Sequence, residues 1–425
     1  MNEQTLFLIE KSIIVLVVFF GVMLVVALTT LVERRVAGFI QDRYGPNRVG
    51  PFGILQPAAD GLKNFLKEET MPAAAAQPYF WLGPIFSLAP ALVTFAVVPF
   101  AAPLPIGESY VMQMIVADVP IGILYILALS SLGVYGIVMG GWASNNKFSF
   151  LGGLRASAQM VSYEVALGLA VVVVLLMAGN VTLTEMVWQQ QQLHLWFAFP
   201  ISLAFILFVI SAFAETSRMP FDMPEAESEL VGGFHTEYSG MKYAMYPMGE
   251  YAHMLTSSAL MATLFFGGWD IPFWAGDNAF PFDGGWISGF TEAGVAIPAE
   301  LAWWKTLLTF GAFAAKTYFF VIVYIWVRWT VPRFRYDQIM QLGWKVMLPV
   351  ALAYVMVVAA TILTLDQLGV PYGLGFGAVL TAVSAICTGF FLLVLDRGRT
   401  LFGAASEAHK RFRSETKAVS VTHGD

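Results

Sequence analysis

Residues 12–32 read SIIVLVVFFGVMLVVALTTLV, and none of these side chains is charged. A helix of about 20 apolar residues crosses the roughly 30 Å hydrocarbon core of a bilayer. Backbone polar groups without hydrogen-bond partners are costly in lipid, so a segment that spans it must be helical. The run therefore predicts a first transmembrane helix close to the N-terminus.

The composition of the whole chain extends this conclusion. Of its 425 residues, 58% are hydrophobic and only 12% are charged, whereas soluble domains carry about 25% charged residues. These proportions exclude a soluble enzyme, a disordered chain and a nucleic-acid-binding protein. The single cysteine, Cys387, excludes an internal disulfide and any zinc or iron–sulfur site built from several cysteines. Because neither a P-loop nor a metal-like spacing of histidines occurs, we expect no metal and no redox cofactor in this chain.

Further apolar runs follow the first, separated by loops rich in polar residues, glycine and proline. Taken with the first run, they give nine predicted spans, near residues 12–32, 79–102, 119–141, 157–178, 194–214, 248–268, 303–327, 346–365 and 372–395. The sequence therefore predicts an all-α polytopic membrane protein.

The basic residues indicate how these spans are oriented. All but three of the 23 Lys and Arg residues fall in alternate loops and in the C-terminal tail, and the exceptions are Lys11, Lys305 and Lys316. Lys and Arg accumulate on the cytoplasmic side of membrane proteins. We therefore predict an N-terminus outside the cell and a C-terminus in the cytoplasm.

The first cytoplasmic loop combines a turn-rich segment with an amphipathic one. Residues 41–51 contain several glycines and prolines, and apolar side chains recur at helical spacing over residues 54–69. This pattern predicts a helix that lies in the membrane interface after the first span. The helix either anchors the loop to the membrane surface or forms one wall of an entrance for a lipid-soluble ligand.

The cytoplasmic loop over residues 215–250 is acidic and yet rich in apolar and aromatic residues. Because so many apolar groups would not stay in water, the loop either folds back into the bundle or is covered by a partner. Like charges in a poorly hydrated site raise one another's pKa, so the acids could share protons as a cluster. A solvated acidic loop is the alternative. The carboxylates are Glu215, Asp222, Glu225, Glu227, Glu229, Glu237 and Glu250.

Two ionisable residues lie well inside predicted spans. Glu164 falls in the fourth span, and Lys316 falls in the seventh, 11 residues before Val327. A charge at the centre of a membrane helix costs about 2.5–3.5 kcal/mol, so such residues commonly mark an ion or proton route. Glu164 is the expected carboxylate partner of Lys316. A purely structural ion pair is the alternative.

Three stretches resemble the H-subunit family of bacterial respiratory complex I, which includes subunit 1 of mitochondrial NADH dehydrogenase. The stretches are 33–63, with Glu33-Arg34-Arg35, Gly45-Pro46-Asn47 and Gln56-Pro57-Ala58-Ala59-Asp60; 214–234, with Glu215-Thr216-Ser217-Arg218-Met219-Pro220; and 332–338, with Pro332-Arg333-Phe334-Arg335-Tyr336. The family has an eight-span core. The resemblance therefore implies a core over 1–365, with an additional ninth span (366–396) and a basic cytoplasmic tail (397–425) beyond it.

The resemblance also implies roles for individual residues. It implies a quinone path that includes Glu33, Arg34, Arg43, Asp60 and Phe234. It further implies a proton route that includes Glu164, Glu215, Asp222, Glu225, Glu227, Glu229 and Lys316.

The function expected from the resemblance is that of a membrane subunit of proton-pumping NADH:quinone oxidoreductase in the bacterial inner membrane. Quinone is then the substrate, and FMN and iron–sulfur clusters belong to partner subunits. Peripheral-arm subunits would cover the cytoplasmic loops, and membrane-arm subunits would lie alongside. Three alternatives stay open: a subunit of a related energy-converting hydrogenase or deazaflavin-dependent dehydrogenase, a secondary transporter, and a passive membrane anchor.

Overall fold

Helices make up nearly all of the regular structure in the computed structural model, which describes residues 3–106, 110–223, 230–271, 274, 289–290 and 302–396. The predicted all-α fold is confirmed. The helices are α1 Glu3–Ile40, α2 Gln56–Leu66, α3 Gln77–Val93, α4 Gly122–Ala143, α5 Lys147–Ala178, α6 Leu183–Leu193, α7 Ser202–Glu215, α8 Gly240–Phe265, α9 Trp303–Thr330, α10 Tyr336–Gln341, α11 Leu348–Gln367 and α12 Leu374–Asp396.

Every predicted span overlaps one of these helices. Within the described residues, seven helical segments are long and apolar enough to cross a membrane, and α7 is a shorter apolar helix. Three-residue or four-residue 3-10 turns occur at Pro51–Gly53, Thr94–Val97 and Gly233–His235, and one π turn joins α10 to α11 over Leu342–Met347.

The predicted start of the fifth span, at residue 194, is wrong. Helix α7 begins only at Ser202, after a series of turns. Pro200 disfavours a helical conformation at the residue before it. In addition, the side-chain oxygen of Gln190 accepts hydrogen bonds from the backbone N–H groups of Phe197 (3.2 Å) and Gly267 (3.0 Å), which holds the segment in its turns.

The core of the bundle is built by α3, α4, α5, α7 and α8, with α9 and α11 packed against it. Where α3 and α4 cross, glycine brings the two backbones together. A Cβ atom at Gly136 would lie 2.7 Å from both the Gly83 carbonyl oxygen and the Ser87 amide nitrogen. Since both are backbone atoms, neither can move aside without shifting a helix.

We expect Gly136→Ala to lower the stability of the protein by about 1–3 kcal/mol, the usual cost of overpacking. Gly168→Ala on α5 is the matched control, because a Cβ atom there would meet nothing within 4 Å. The thermal midpoint of the purified assembly in detergent measures the difference. Equal midpoints for the two variants would contradict the close crossing of α3 and α4.

A small antiparallel sheet, which the sequence analysis did not predict, lies on the side opposite the basic loops. Its strands are β1 Leu104–Ile106, β2 Tyr110–Met112 and β3 Gly289–Phe290. Leu104 pairs with Met112, and Tyr110 pairs with Phe290. The pairing ties the long loop before α9 to the loop before α4. Most of that long loop lies outside the described residues.

Helix α12, the predicted ninth span, is part of the bundle. Ser384 on α12 lies 2.9 Å from the hydroxyl of Ser202 on α7 and 2.8 Å from that of Tyr354 on α11. Thr388, one turn later, lies 3.1 Å from Ser202. These hydroxyl contacts and the buried Phe391 join α12 to α7 and α11. The tail over residues 397–425 lies outside the described residues.

Candidate functional site

A group of three charged side chains, two of them buried, lies on the side of the bundle that carries the basic loops. Glu33 near the end of α1 is 4% exposed, and its carboxylate is 3.1 Å from the guanidinium of Arg218. Arg328 at the end of α9 donates to the other carboxylate oxygen of Glu33. One carboxylate thus neutralises two arginines, of which Arg218 is buried and Arg328 is 30% exposed. We call these three residues the Glu33 triad.

Arg218 also joins this triad to the interior of the bundle. Its guanidinium carbon lies 4.1 Å from the centre of the Tyr251 ring on α8. Burial opposes the charged form of Arg218, but Tyr251, Glu33 and Glu250 together raise its pKa above the ordinary arginine value. The guanidinium therefore stays protonated at every physiological pH, and it acts as a fixed charge.

Glu215, at the C-terminal end of α7, lies deeper in the bundle beside two other helices. Its side chain interacts with Ser130 on α4 and electrostatically with Glu164 on α5. Tyr324 on α9 interacts with both Glu215 and Arg218, and its hydroxyl is 3.1 Å from that of Ser257. The arrangement brings two predicted proton-route acids together and connects them, through Tyr324, to the Glu33 triad.

The first part of the acidic loop folds back into the bundle. Gln159 on α5 donates from its amide to the carbonyl oxygens of Ala214 (2.9 Å) and Phe221 (2.7 Å). Asp222 is buried and accepts a hydrogen bond from Arg333 at 2.9 Å. Of the two predicted locations for this loop, the structure supports the one inside the bundle for residues 215–223. Glu225, Glu227 and Glu229 lie outside the described residues.

Lys316 has different partners from the expected one. Its ammonium group donates to three backbone carbonyl oxygens at the end of α8, those of Phe266 (2.7 Å), Gly268 (3.1 Å) and Asp270 (2.5 Å). It also lies 4.9 Å from the centre of the Trp196 ring. The prediction that Glu164 neutralises Lys316 is therefore wrong. The carbonyl groups at a helix C-terminus carry partial negative charge, and they satisfy the cation instead.

Some residues of the predicted quinone path lie at the protein surface, and others are buried. Arg34 and Asp60 form an ion pair at 2.5 Å at the protein surface, and Gln56 also donates to Asp60 at 3.0 Å. Arg43 is exposed, and its backbone N–H donates to Gly38. Phe234 is 3% exposed, and Ser149 on α5 donates to its carbonyl oxygen at 2.7 Å.

The predicted interfacial helix is present as α2, and none of its residues is buried. Its side chains Leu62, Phe65 and Leu66 are more than half exposed. The Arg34–Asp60 pair holds the middle of the helix. Lys242, which lies 2.8 Å from Glu69, holds the chain just beyond its C-terminal end. The apolar side of α2 is therefore free to contact lipid or a lipid-soluble molecule.

A family model described as NADH dehydrogenase matches residues 13–359. The chain belongs to this family. Its resemblance to the H subunit of respiratory complex I, which rested on three stretches of sequence, is confirmed over most of its length. Within the described part of the chain, no group of three or more His, Cys, Asp or Glu residues could hold a metal ion.

Curated relatives are H subunits of NADH-quinone oxidoreductase. The protein from Cytophaga hutchinsonii is 44% identical over 357 residues, which is 84% of this chain and 98% of the relative. Those from Rhodospirillum centenum and Geobacter sulfurreducens are 46% and 48% identical, each covering 81% of this chain and 91% and 92% of the relative. Helix α12 lies beyond the part that the NADH dehydrogenase model matches.

Sequence reasoning missed the partners of Glu33. Arg218 entered only as part of the stretch 215–220 that carries the resemblance, and Arg328 only as one of the basic residues in alternate loops. A signal did exist, because a basic residue among seven carboxylates is expected to pair with one. The choice of Glu33, which lies 185 positions away, depends on how the helices pack.

Proposed function

We propose that this chain is the H-type membrane subunit of a proton-translocating NADH:quinone oxidoreductase, and that it couples quinone reduction to proton movement. The observation that carries the proposal is the series of buried and half-buried polar side chains from the Glu33 triad through Tyr324 to Glu215 and Glu164. Ionisable groups of this kind are costly inside a membrane protein, so they commonly mark an ion or proton route.

The exposed apolar side of α2 supports a role at the quinone entrance. A quinone carries a long apolar tail and a polar head group, so its path must offer both kinds of contact. Leu62 and Phe65 supply apolar surface at the membrane interface, while Arg34 and Asp60 supply charge on the adjacent cytoplasmic surface. We infer that this surface, with Arg43, guides quinone toward a chamber that peripheral subunits complete. The buried Phe234 supports the wall of that chamber from behind.

In this proposal, the electrons reach quinone from FMN and iron–sulfur clusters on partner subunits. Formation of quinol takes up two protons and changes the electric field at the loop that holds Asp222. The acids of the loop, including Glu225, Glu227 and Glu229, respond by changing their protonation. Arg218 keeps its charge, so it holds the Glu33 carboxylate ionised, and the change passes through Glu215 to Glu164. Coupling of this kind requires two states with different affinities for protons.

The location and the partners follow from the same proposal. The chain spans the bacterial inner membrane several times, with its basic loops and C-terminus in the cytoplasm. Peripheral-arm subunits lie over the first loop and the acidic loop, and other membrane-arm subunits contact the bundle laterally. Lys316, held just beyond the C-terminal end of α8, belongs to the same proton route.

The test is the variant Glu164→Gln in sealed vesicles that contain the whole complex. We expect proton translocation per NADH oxidised to fall about tenfold or more, because a positioned proton-transfer group contributes a factor of about 100 or more. Glu185→Gln is the matched control, since Glu185 lies on α6 and contacts Gln189. Wild-type coupling in Glu164→Gln, with normal assembly, would contradict the proposed function.

A further inference from the structure

A single π turn interrupts the helix that contains α10 and α11. It covers Leu342–Met347, and the backbone N–H of Leu348 donates to the carbonyl of Gly343, five residues earlier. Pro349 explains why the turn is wide. Proline has no N–H, and its ring clashes with the carbonyl four residues before it in an ordinary helix. A π turn just before the proline lets the chain continue as one helix.

The π turn packs directly against α5 at the two residues that precede Glu164. A Cβ atom at Gly343 would lie 2.7 Å from the hydroxyl oxygen of Ser162 and 3.4 Å from the ring of Tyr163. The hydroxyl of Tyr163 donates to the carbonyl oxygen of Ile339, on α10, at 2.9 Å. Ser162 and Tyr163 are both buried. The segment from Ile339 to Gly343 therefore holds α5 at two consecutive side chains.

Two consecutive contacts determine how a helix is rotated about its axis. Successive residues of an α-helix point in directions about 100° apart, because a turn contains 3.6 residues. Once Ser162 and Tyr163 are held, the direction of Glu164 is determined as well. The ring of Tyr163 also packs on Phe221 of the acidic loop, with ring centres 5.5 Å apart. Tyr163 thus lies between the loop and the π turn.

We propose that Gly343 and Tyr163 are positioning residues for proton transfer, and that the π turn sets the direction of Glu164. This inference rests on the proposed function, because it assigns Glu164 a role in coupling. A larger residue at position 343 must displace the Ser162 hydroxyl, and the Tyr163 ring 3.4 Å away restricts how the two helices can adjust. A purely structural role for the contact would change the amount of assembled complex and leave its coupling intact.

The test measures proton translocation per NADH oxidised in vesicles that contain the whole complex. Gly343→Ala should lower this ratio about fivefold, which corresponds to about 1 kcal/mol of overpacking strain. The double variant Gly343→Ala with Ser162→Ala should recover most of the ratio, because it removes the hydroxyl that the new methyl group meets. Gly168→Ala, also on α5, should behave as wild type, because its Cβ atom meets nothing.

A wild-type ratio in Gly343→Ala, or a double variant no better coupled than the single one, would overturn this inference. If the complex with Gly343→Ala does not assemble, Tyr163→Phe replaces it in the test, and proton translocation per NADH oxidised is measured again. This variant removes one hydrogen bond and little packing volume. An unchanged ratio in Tyr163→Phe would then overturn the inference.

When Glu164→Gln uncouples the complex and these variants do not, only the positioning inference fails. When Glu164→Gln itself is fully coupled, the proposed function fails.

Discussion

Glu33→Gln is expected to destabilise the protein by about 3–5 kcal/mol and to remove most of the assembled complex from the membrane. The substitution leaves the guanidinium of Arg218, whose side chain is 5% exposed, beside that of Arg328 with no carboxylate between them. Removing one partner of a buried ion pair is costly because the remaining charge stays out of water. The amount of complex in the membrane and its thermal midpoint measure the effect.

A surface ion pair offers the matched comparison for Glu33→Gln. Asp60→Asn removes the partner of Arg34, whose side chain is 51% exposed, and exposed pairs contribute about 1 kcal/mol or less. Stability should therefore change little in this variant. The combination Glu33→Leu with Arg218→Met should recover part of the lost stability, because it removes both buried charges together. If the Glu33→Gln protein were as stable as the Asp60→Asn protein, the buried ion pair of Glu33 with Arg218 would be refuted.

Lys316→Met is expected to lower stability by about 3 kcal/mol or more. The methionine leaves the carbonyl oxygens of Phe266, Gly268 and Asp270 without the ammonium group that now binds them. Hydrogen bonds to a charged group contribute about 1.5–3 kcal/mol each. We also expect faster hydrogen exchange at the end of α8, measured by mass spectrometry of the detergent-solubilised complex.

Lys305→Met is the matched control for the lysine substitution. Lys305 lies on the same helix, α9, and its ammonium group is 5.9 Å from the centre of the Trp304 ring. A cation–π contact near the surface contributes about 0.5–1 kcal/mol. Lys316→Met should therefore be clearly less stable than Lys305→Met. Equal stability of the two variants, with unchanged exchange at the end of α8, would contradict the role of Lys316 in holding that end.

The helices could be predicted because a segment that crosses lipid must hydrogen-bond its own backbone groups. An apolar run of about 20 residues in lipid must form a helix, so hydropathy predicted a helix in each apolar run. Features that depend on particular contacts were not predictable in this way. The late start of α7 depends on Gln190, and the pairing of Tyr110 with Phe290 joins distant loops. The π turn has a local cause in Pro349, which a hydropathy pattern does not reveal.

The sequence predicted which residues belong to the candidate site better than it predicted which residues contact one another. Glu164 and Lys316 stood out because each is a charge inside an apolar run, and this pattern does not depend on the fold. Their pairing was predicted only because they are opposite charges inside predicted spans. In the structure, the ammonium group of Lys316 donates to carbonyl oxygens at the end of α8 instead. Every residue has a backbone carbonyl group, so the sequence does not show which of them will accept a hydrogen bond from a lysine. For the same reason, the link from Arg218 to Glu33 required the packed bundle.

The most direct test of the central claim is to observe whether quinone reduction changes the protonation of the buried acids. Infrared difference spectroscopy of the reconstituted complex, recorded on reduction of its quinone, detects the carboxyl groups that gain or lose a proton. We predict carboxyl bands that disappear selectively in Glu164→Gln and in Glu215→Gln, and that persist in Glu185→Gln. Difference spectra identical to that of the wild type in both of the first two variants would contradict the account.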